Sequence, residues 1–223
     1  MTQNLTLTEA EKSLQLEVLV LTDSRPRAGN TMYLLSETSD NERSGFMAAC
    51  RHVESGLVAR VAIIDDVSRT NTGYPGAAEW VSALARADIH GVLEIPCEAH
   101  LQTLSEAFAV VTFAERVGWR ELIICAPPFH QKRAFMSMVT AVKHLYPKGL
   151  RVYNIPGVTL PWGEECRHSQ GTFTATRKQL IVEEARRIEQ YQKQGTPAVL
   201  VSVDEVLEYV DWRDSESTWA RGV

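Results

Sequence analysis

The chain has 223 residues, 44% hydrophobic and 23% charged, with a mean hydropathy of -0.16, which excludes disorder over most of its length. Its formal charge of -5, from 23 Lys and Arg against 28 Asp and Glu, argues against a polyelectrolyte binder of nucleic acid. No apolar stretch approaches the roughly 18–20 residues of a membrane-spanning helix, and the polar start, with Glu9, Glu11 and Lys12, has no secretory apolar core, so a cytoplasmic location with no membrane partner is expected.

In chain order, the first short buried strand is expected at residues 17–22 (Glu-Val-Leu-Val-Leu-Thr), followed by a polar loop at 23–30 with Asp23 and Arg25. Ser39-Asp40-Asn41-Glu42 has the form of a capping box and is expected to open the first full helix, which carries Phe46, Ala49, Cys50 and Val53 at helical spacing. A strand at 58–64 leads to the loop 65–76 with Asp65 and Asp66, then to a helix with Trp80, Ala83, Leu84 and Ala87. A strand at 91–95, the loop 96–103 and a helix through Leu104, Ala107, Phe108 and Val111 follow. After a strand at 121–126 comes a helix through Ala134, Phe135, Met138, Val139, Val142 and Leu145, then a strand at 151–155 and the loop 156–172. The charged stretch 176–193 reads as an amphipathic helix that packs on the sheet edge or on a partner chain. A sixth strand is expected at 198–203, before an acidic segment at 204–216.

Strand and helix thus alternate, which predicts an α/β fold: a Rossmann-like, doubly wound and mostly parallel sheet of about five or six strands with helices on both faces. The 13 Gly and 9 Pro form no linker-like run, so one domain over residues 1–223 is expected, with a helical extension from about residue 173. The four cysteines, at 50, 97, 125 and 166, are too far apart for a metal-binding pair and read as buried thiols.

Ligands of such a sheet bind beyond the carboxyl ends of its strands. The sharpest signal there is Ala126-Pro127-Pro128-Phe129-His130-Gln131-Lys132-Arg133, where two prolines end a strand and a helix begins near His130. An imidazole then stands at a strand end, and Arg133 on a first helical turn whose free donors favour anions. The same residues would equally serve as a helix cap and an ion pair with an acid. Residues 115–151 hold seven bases and two acids, a local +5 that suits an anionic ligand or a solvated helix face. His100, Gln102, Thr103 and Glu106 precede or open the next helix, and the Thr103 hydroxyl would serve either the backbone or a ligand. Asp23 or Asp66 would supply a carboxylate. Glycine-rich dinucleotide and phosphate loops, zinc spacings and the G-x-S-x-G elbow are all absent, so no structural metal is expected.

His130, Arg133 and Ala134 match an H-x-x-R-A signature after a strand and a small-residue turn, and by these residues the chain resembles the YdcF/SanA/ElyC-like family. Thr103 matches the Thr of that family's S-x-N-T-x-E-N segment some 27 residues upstream, where His100 and Gln102 replace Ser and Asn, and Glu79 resembles the acid on the preceding helix. The resemblance spans about residues 15–160. It implies a Rossmann-like sheet that binds a nucleotide-like small molecule, with S-adenosylmethionine or a nucleotide as the possible cofactor. The expected function is a hydrolase or group transferase acting on an anionic nucleotide-like or phosphorylated ligand. His130 would be the acid or base, Asp23 or Asp66 the carboxylate, and Arg133, Thr103, Gln102, Arg25, Glu79 and His100 the ligand contacts. A non-enzymatic sensor of the same ligands, and a homo-oligomeric scaffold, are the competing readings.

Overall fold

Five strands form an all-parallel sheet: β1 (Asn30–Leu34), β2 (Val58–Asp66), β3 (Leu93–Cys97), β4 (Glu121–Cys125) and β5 (Arg151–Asn154). Their spatial order is β3-β2-β1-β4-β5. The computed structural model describes residues 7–23, 30–67, 73–168, 173–194 and 196–215. Within them lie seven helices, α1 (Glu9–Leu21), α2 (Glu42–Glu54), α3 (Ala77–Arg86), α4 (Thr103–Val117), α5 (Gln131–Leu145), α6 (Arg177–Gln194) and α7 (Val203–Ser215), and a small antiparallel ribbon of β6 (Glu165–Arg167) and β7 (Thr174–Thr176). No described helix is long and apolar enough to cross a membrane.

The strand sequences are apolar on both faces because both faces are covered. Tyr33, Ala62, Ile64, Leu122 and Ile124 point into one core, shared with Leu16 and Val20 of α1, with α4 and α5, and with Val206, Tyr209 and Val210 of α7. Met32, Leu34, Val61, Ile63, Ile123 and Cys125 point into the other, against Ala48 and Ala49 of α2 and Trp80 and Leu84 of α3. Each buried Leu, Ile or Val side chain contributes about 1.5–3 kcal/mol, so these two layers dominate stability. α4 ends at Gly118, whose φ of 74° is the left-handed C-cap conformation that glycine adopts without cost.

The doubly wound sheet is as the alternation predicts, but two strands are misplaced and one is missed. Residues 17–22 are the end of α1. Thr8 and Glu11 form the capping box that starts this helix, and Leu16 and Val20, four apart, face the core while Leu14 and Val18 stay exposed. The true first strand is β1, whose signal was the run Met32-Tyr33-Leu34-Leu35. Asp23 therefore follows a helix and not a strand in the chain, and its carboxylate meets Asn154, the last residue of β5.

Residues 198–203 have the composition of a strand but no strand partner. Leu200 N donates to Tyr191 O and Val201 N to the Thr140 hydroxyl, while both side chains fill the core. The free edge of β5, where a sixth strand would pair, is closed by side chains. Val152 N donates to the Tyr209 hydroxyl at 2.8 Å, Arg213 donates to Val152 O at 2.9 Å, and Asn154 N donates to Asp23 at 3.0 Å. The capping box at 39–42 is not formed either. Ser39 accepts from Arg167 and Glu42 from the Trp80 indole, so tertiary partners take both side chains from the α2 backbone.

Candidate active site at the switch point between β1 and β4

The strand order reverses between β1 and β4, the switch point beyond whose carboxyl ends open α/β sheets bind their ligands. From β4, Pro127 and Pro128 stop the ladder, and His130 N and Gln131 N both donate to Pro127 O, which turns the chain into α5. Gln131 locks the turn: its Oε1 accepts from Ala126 N at 2.8 Å and its Nε2 donates to Asn154 Oδ1 at 2.9 Å. From β1, Leu35 to Asn41 carry Glu37 to the switch point. That segment is held by Glu106 of α4, which accepts from Ser36 N, the Ser36 hydroxyl and the Tyr33 hydroxyl at 2.8, 2.7 and 2.5 Å. Burial pushes the Glu106 carboxyl up, against the pull of these donors.

His130 Nδ1 lies 2.5 Å from Glu37 Oε1, and its Nε2 lies 3.2 Å from the Thr103 hydroxyl. Arg133 Nη1 donates to the same hydroxyl at 2.6 Å. A guanidinium only donates, so the Thr103 oxygen accepts from Arg133; with Glu37 ionised and the imidazole neutral, the ring proton sits on Nδ1 toward Glu37 and Nε2 accepts from the Thr103 hydroxyl. The order is carboxylate, imidazole, hydroxyl, the arrangement that activates hydroxyl groups in acyl and group transfer. Burial raises the Glu37 carboxyl against the opposing His130, and its second oxygen is buried without a hydrogen-bond partner. His130, Glu37, Thr103 and Arg133 are all buried.

The roof comes from the C-terminal part of the chain. β6 covers the Glu37 segment, with Asn41 Nδ2 and the Thr38 hydroxyl donating to Arg167 O. Glu184, in the middle of α6, accepts from Arg133 through both carboxylate oxygens and from His168 Nε2 at 2.8 Å. Burial works against the Glu184 charge, but Arg133 above all holds its carboxyl well below the usual carboxylate range. Burial likewise lowers His168 despite that neighbour.

Of the residues singled out in the sequence, His130, Thr103 and Arg133 come together in direct contact. Gln102 caps the same helix from outside, donating to Thr196 O at 2.8 Å, and exposed His100 lines a separate cavity of ≈ 490 Å³ with Gln102, Phe108 and Arg116. Asp66 ends β2, on the far side of β1 from β4. Glu79 is exposed on the first turn of α3. Asp23 accepts from two Arg213 nitrogens at 2.7 Å each on the β5 edge. Arg25 lies outside the described residues. Of the basic segment, Arg133 reaches Thr103 beside His130, whereas Lys143 pairs with Glu205 and Arg116 and Arg120 lie over Phe113 and Tyr146.

Three residues were missed. Glu37 was hidden because β1 was, although Ser-Glu-Thr after an apolar run was a readable strand-end signal. Glu184 and His168 were assigned to packing or to a loop, and no local pattern marks them. The cysteines are poor nucleophiles: burial pushes Cys97 up to about 11 and Cys125 to about 12, and raises Cys50 and Cys166 as well. Among the described residues no group of three or more His, Cys, Asp or Glu is placed to hold a metal ion. No family model matches the chain, and no curated protein matches it.

Proposed function

We propose that the protein is a small-molecule enzyme, a hydrolase or group transferase, acting on an anionic nucleotide-like or phosphorylated ligand at the strand carboxyl ends by the switch point. The observation that carries this reading is the contact chain Glu37–His130–Thr103, with Arg133 on the same Thr103 hydroxyl. In it His130 Nε2 removes a proton from a hydroxyl or a water and returns it to the leaving group. Glu37 is a positioning residue that holds the tautomer and stabilises the imidazolium as it forms. Arg133 and the α5 N-terminus take the anionic group. The H-x-x-R-A likeness to the YdcF-like family supports the same grouping. A cytoplasmic location is supported by four cysteines that all remain thiols.

A sensor of S-adenosylmethionine or a nucleotide is the second reading, in which the same residues bind the ligand and no proton is transferred. The deciding experiment is a thermal-shift screen against S-adenosylmethionine, adenine nucleotides, sugar phosphates and phosphate, followed by turnover of each hit. A ligand at about 100 times its Kd adds roughly 2.7 kcal/mol, or about 5 to 10 °C for a domain of this size. Conversion of the hit, lost in His130→Ala, supports the enzyme. A hit recovered unaltered with every co-substrate class present supports the sensor.

A further inference from the structure

Arg133 stands where an anionic ligand is expected, yet its guanidinium is already gripped by the protein itself. Glu184 Oε2 accepts from Nε, Oε1 accepts from Nη2 at 3.1 Å, and Oε1 also accepts from His168 Nε2. Tyr191, further along α6, lies with its ring centre 5.9 Å from the guanidinium carbon. A two-oxygen grip on a guanidinium is how a ligand carboxylate or phosphate is bound. Removing both charges from water is a poor way to gain stability, because an apolar pair of similar volume does as well or better. The arrangement therefore calls for another reason. Access supplies one: a groove of ≈ 630 Å³ between α1 and α6 is walled by Leu14, Leu21, Phe129, Lys132 and Ile181, and Glu184 is on its lining. Glu184 thus separates an open groove from a buried cation.

We propose that the Glu184 carboxylate occupies the position of the ligand's anionic group, so that α6 closes the site and the ligand's phosphate or carboxylate opens it by taking over Arg133 and His168. This rests on the reading of Arg133 as the anion-binding residue, and adds the resident competitor, a second donor in His168, and the route through the α1–α6 groove. The exchange keeps Arg133 paired at both ends: an anion replaces an anion, and the released Glu184 is hydrated in the groove. A tethered carboxylate competes at a high effective concentration, so free anions bind the closed protein weakly.

Inorganic phosphate is the probe, titrated at constant ionic strength with the thermal midpoint as readout. Glu184→Gln keeps the shape and removes the competing charge, and its apparent affinity for phosphate is expected to exceed that of the unaltered protein by at least about tenfold. Adding Arg133→Gln to that variant should abolish the gain. Equal, weak responses in Glu184→Gln and the unaltered protein overturn the proposal. Should Glu184→Gln not fold, hydrogen exchange of the unaltered protein decides: excess phosphate should speed exchange in residues 180–190 and not in α4, and unchanged exchange overturns it. A phosphate gain in Glu184→Gln without any His130-dependent turnover supports the exchange while sinking the catalytic reading. His130-dependent turnover without the gain does the reverse.

Discussion

His130 Nδ1 lies 2.5 Å from Glu37 Oε1, joining the turn after β4 to the segment after β1 across the point where the strand order reverses. The two residues are 93 apart in the chain. In the proposed mechanism their contact orients His130 as the acid or base. His130→Ala should lower kcat on the screened substrate by about 10²- to 10⁴-fold. Glu37→Gln should also lower it while leaving stability at pH 7 equal or higher. The sign follows from Glu37's raised carboxyl: the fold binds that proton more tightly than the unfolded chain, so the charge opposes folding above the ordinary carboxylate range. Urea unfolding and turnover of both variants check this, and full turnover in Glu37→Gln would remove Glu37 from the mechanism.

Glu184 behaves in the opposite sense. Its carboxyl is depressed, so its stabilisation is present above the unfolded value near ~4.3 and is lost as pH falls below that. Glu184→Gln should cost about 3–5 kcal/mol at pH 7, because Arg133 is left buried without its counter-charge. The gap to the unaltered protein should narrow below about pH 4. Urea midpoints of the two proteins from pH 7 to pH 3 test this; a constant gap contradicts it.

Asp23 and Arg213 stabilise the sheet edge. Arg213 meets both Asp23 oxygens at 2.7 Å and also Val152 O, with both side chains nearly closed to solvent. Arg213→Met should destabilise by about 3–5 kcal/mol, since it strands a buried carboxylate. Asp23→Asn should cost less and leave turnover per folded molecule unchanged. A collapse of kcat in Asp23→Asn, with Arg213 still in place, would return Asp23 to the chemistry.

Thr8 tests the reassignment of residues 17–22 from strand to helix. It bonds Glu11 N while the Glu11 carboxylate bonds Thr8 N at 2.7 Å. Thr8→Ala should therefore lower stability by about 0.5–2 kcal/mol and reduce helical circular dichroism at elevated temperature. No change in either would mean that the capping box contributes nothing to α1.

The α/β class, four of the five sheet strands and the helices α2 to α6 were legible in the sequence, because an apolar run of strand length and a 3.6-residue period depend on local order alone. So was the diproline turn before α5, since proline removes a backbone donor wherever it stands. The two errors share one cause. Val-Leu-Val-Leu at 18–21 and Ala-Val-Leu-Val at 198–201 have the same composition as a strand, and only partners distinguish them. The first continues a capped helix whose Leu16 and Val20 meet the core, and the second is held by Tyr191 of α6 and Thr140 of α5, while Tyr209 and Arg213 close the β5 edge.

For the site, the sequence by itself marked His130, Arg133 and Thr103, residue types that are conspicuous at a strand end or a helix start. It could not supply Glu37, which meets His130 only because β1 lies next to β4, nor Glu184, whose spacing on α6 is that of any charged helix. Local order selects elements and the groups they carry. Burial decides which of those groups meet: once α6 excludes water, each charge beneath it must have a partner, and the tertiary structure finds those partners 51 and 93 residues away.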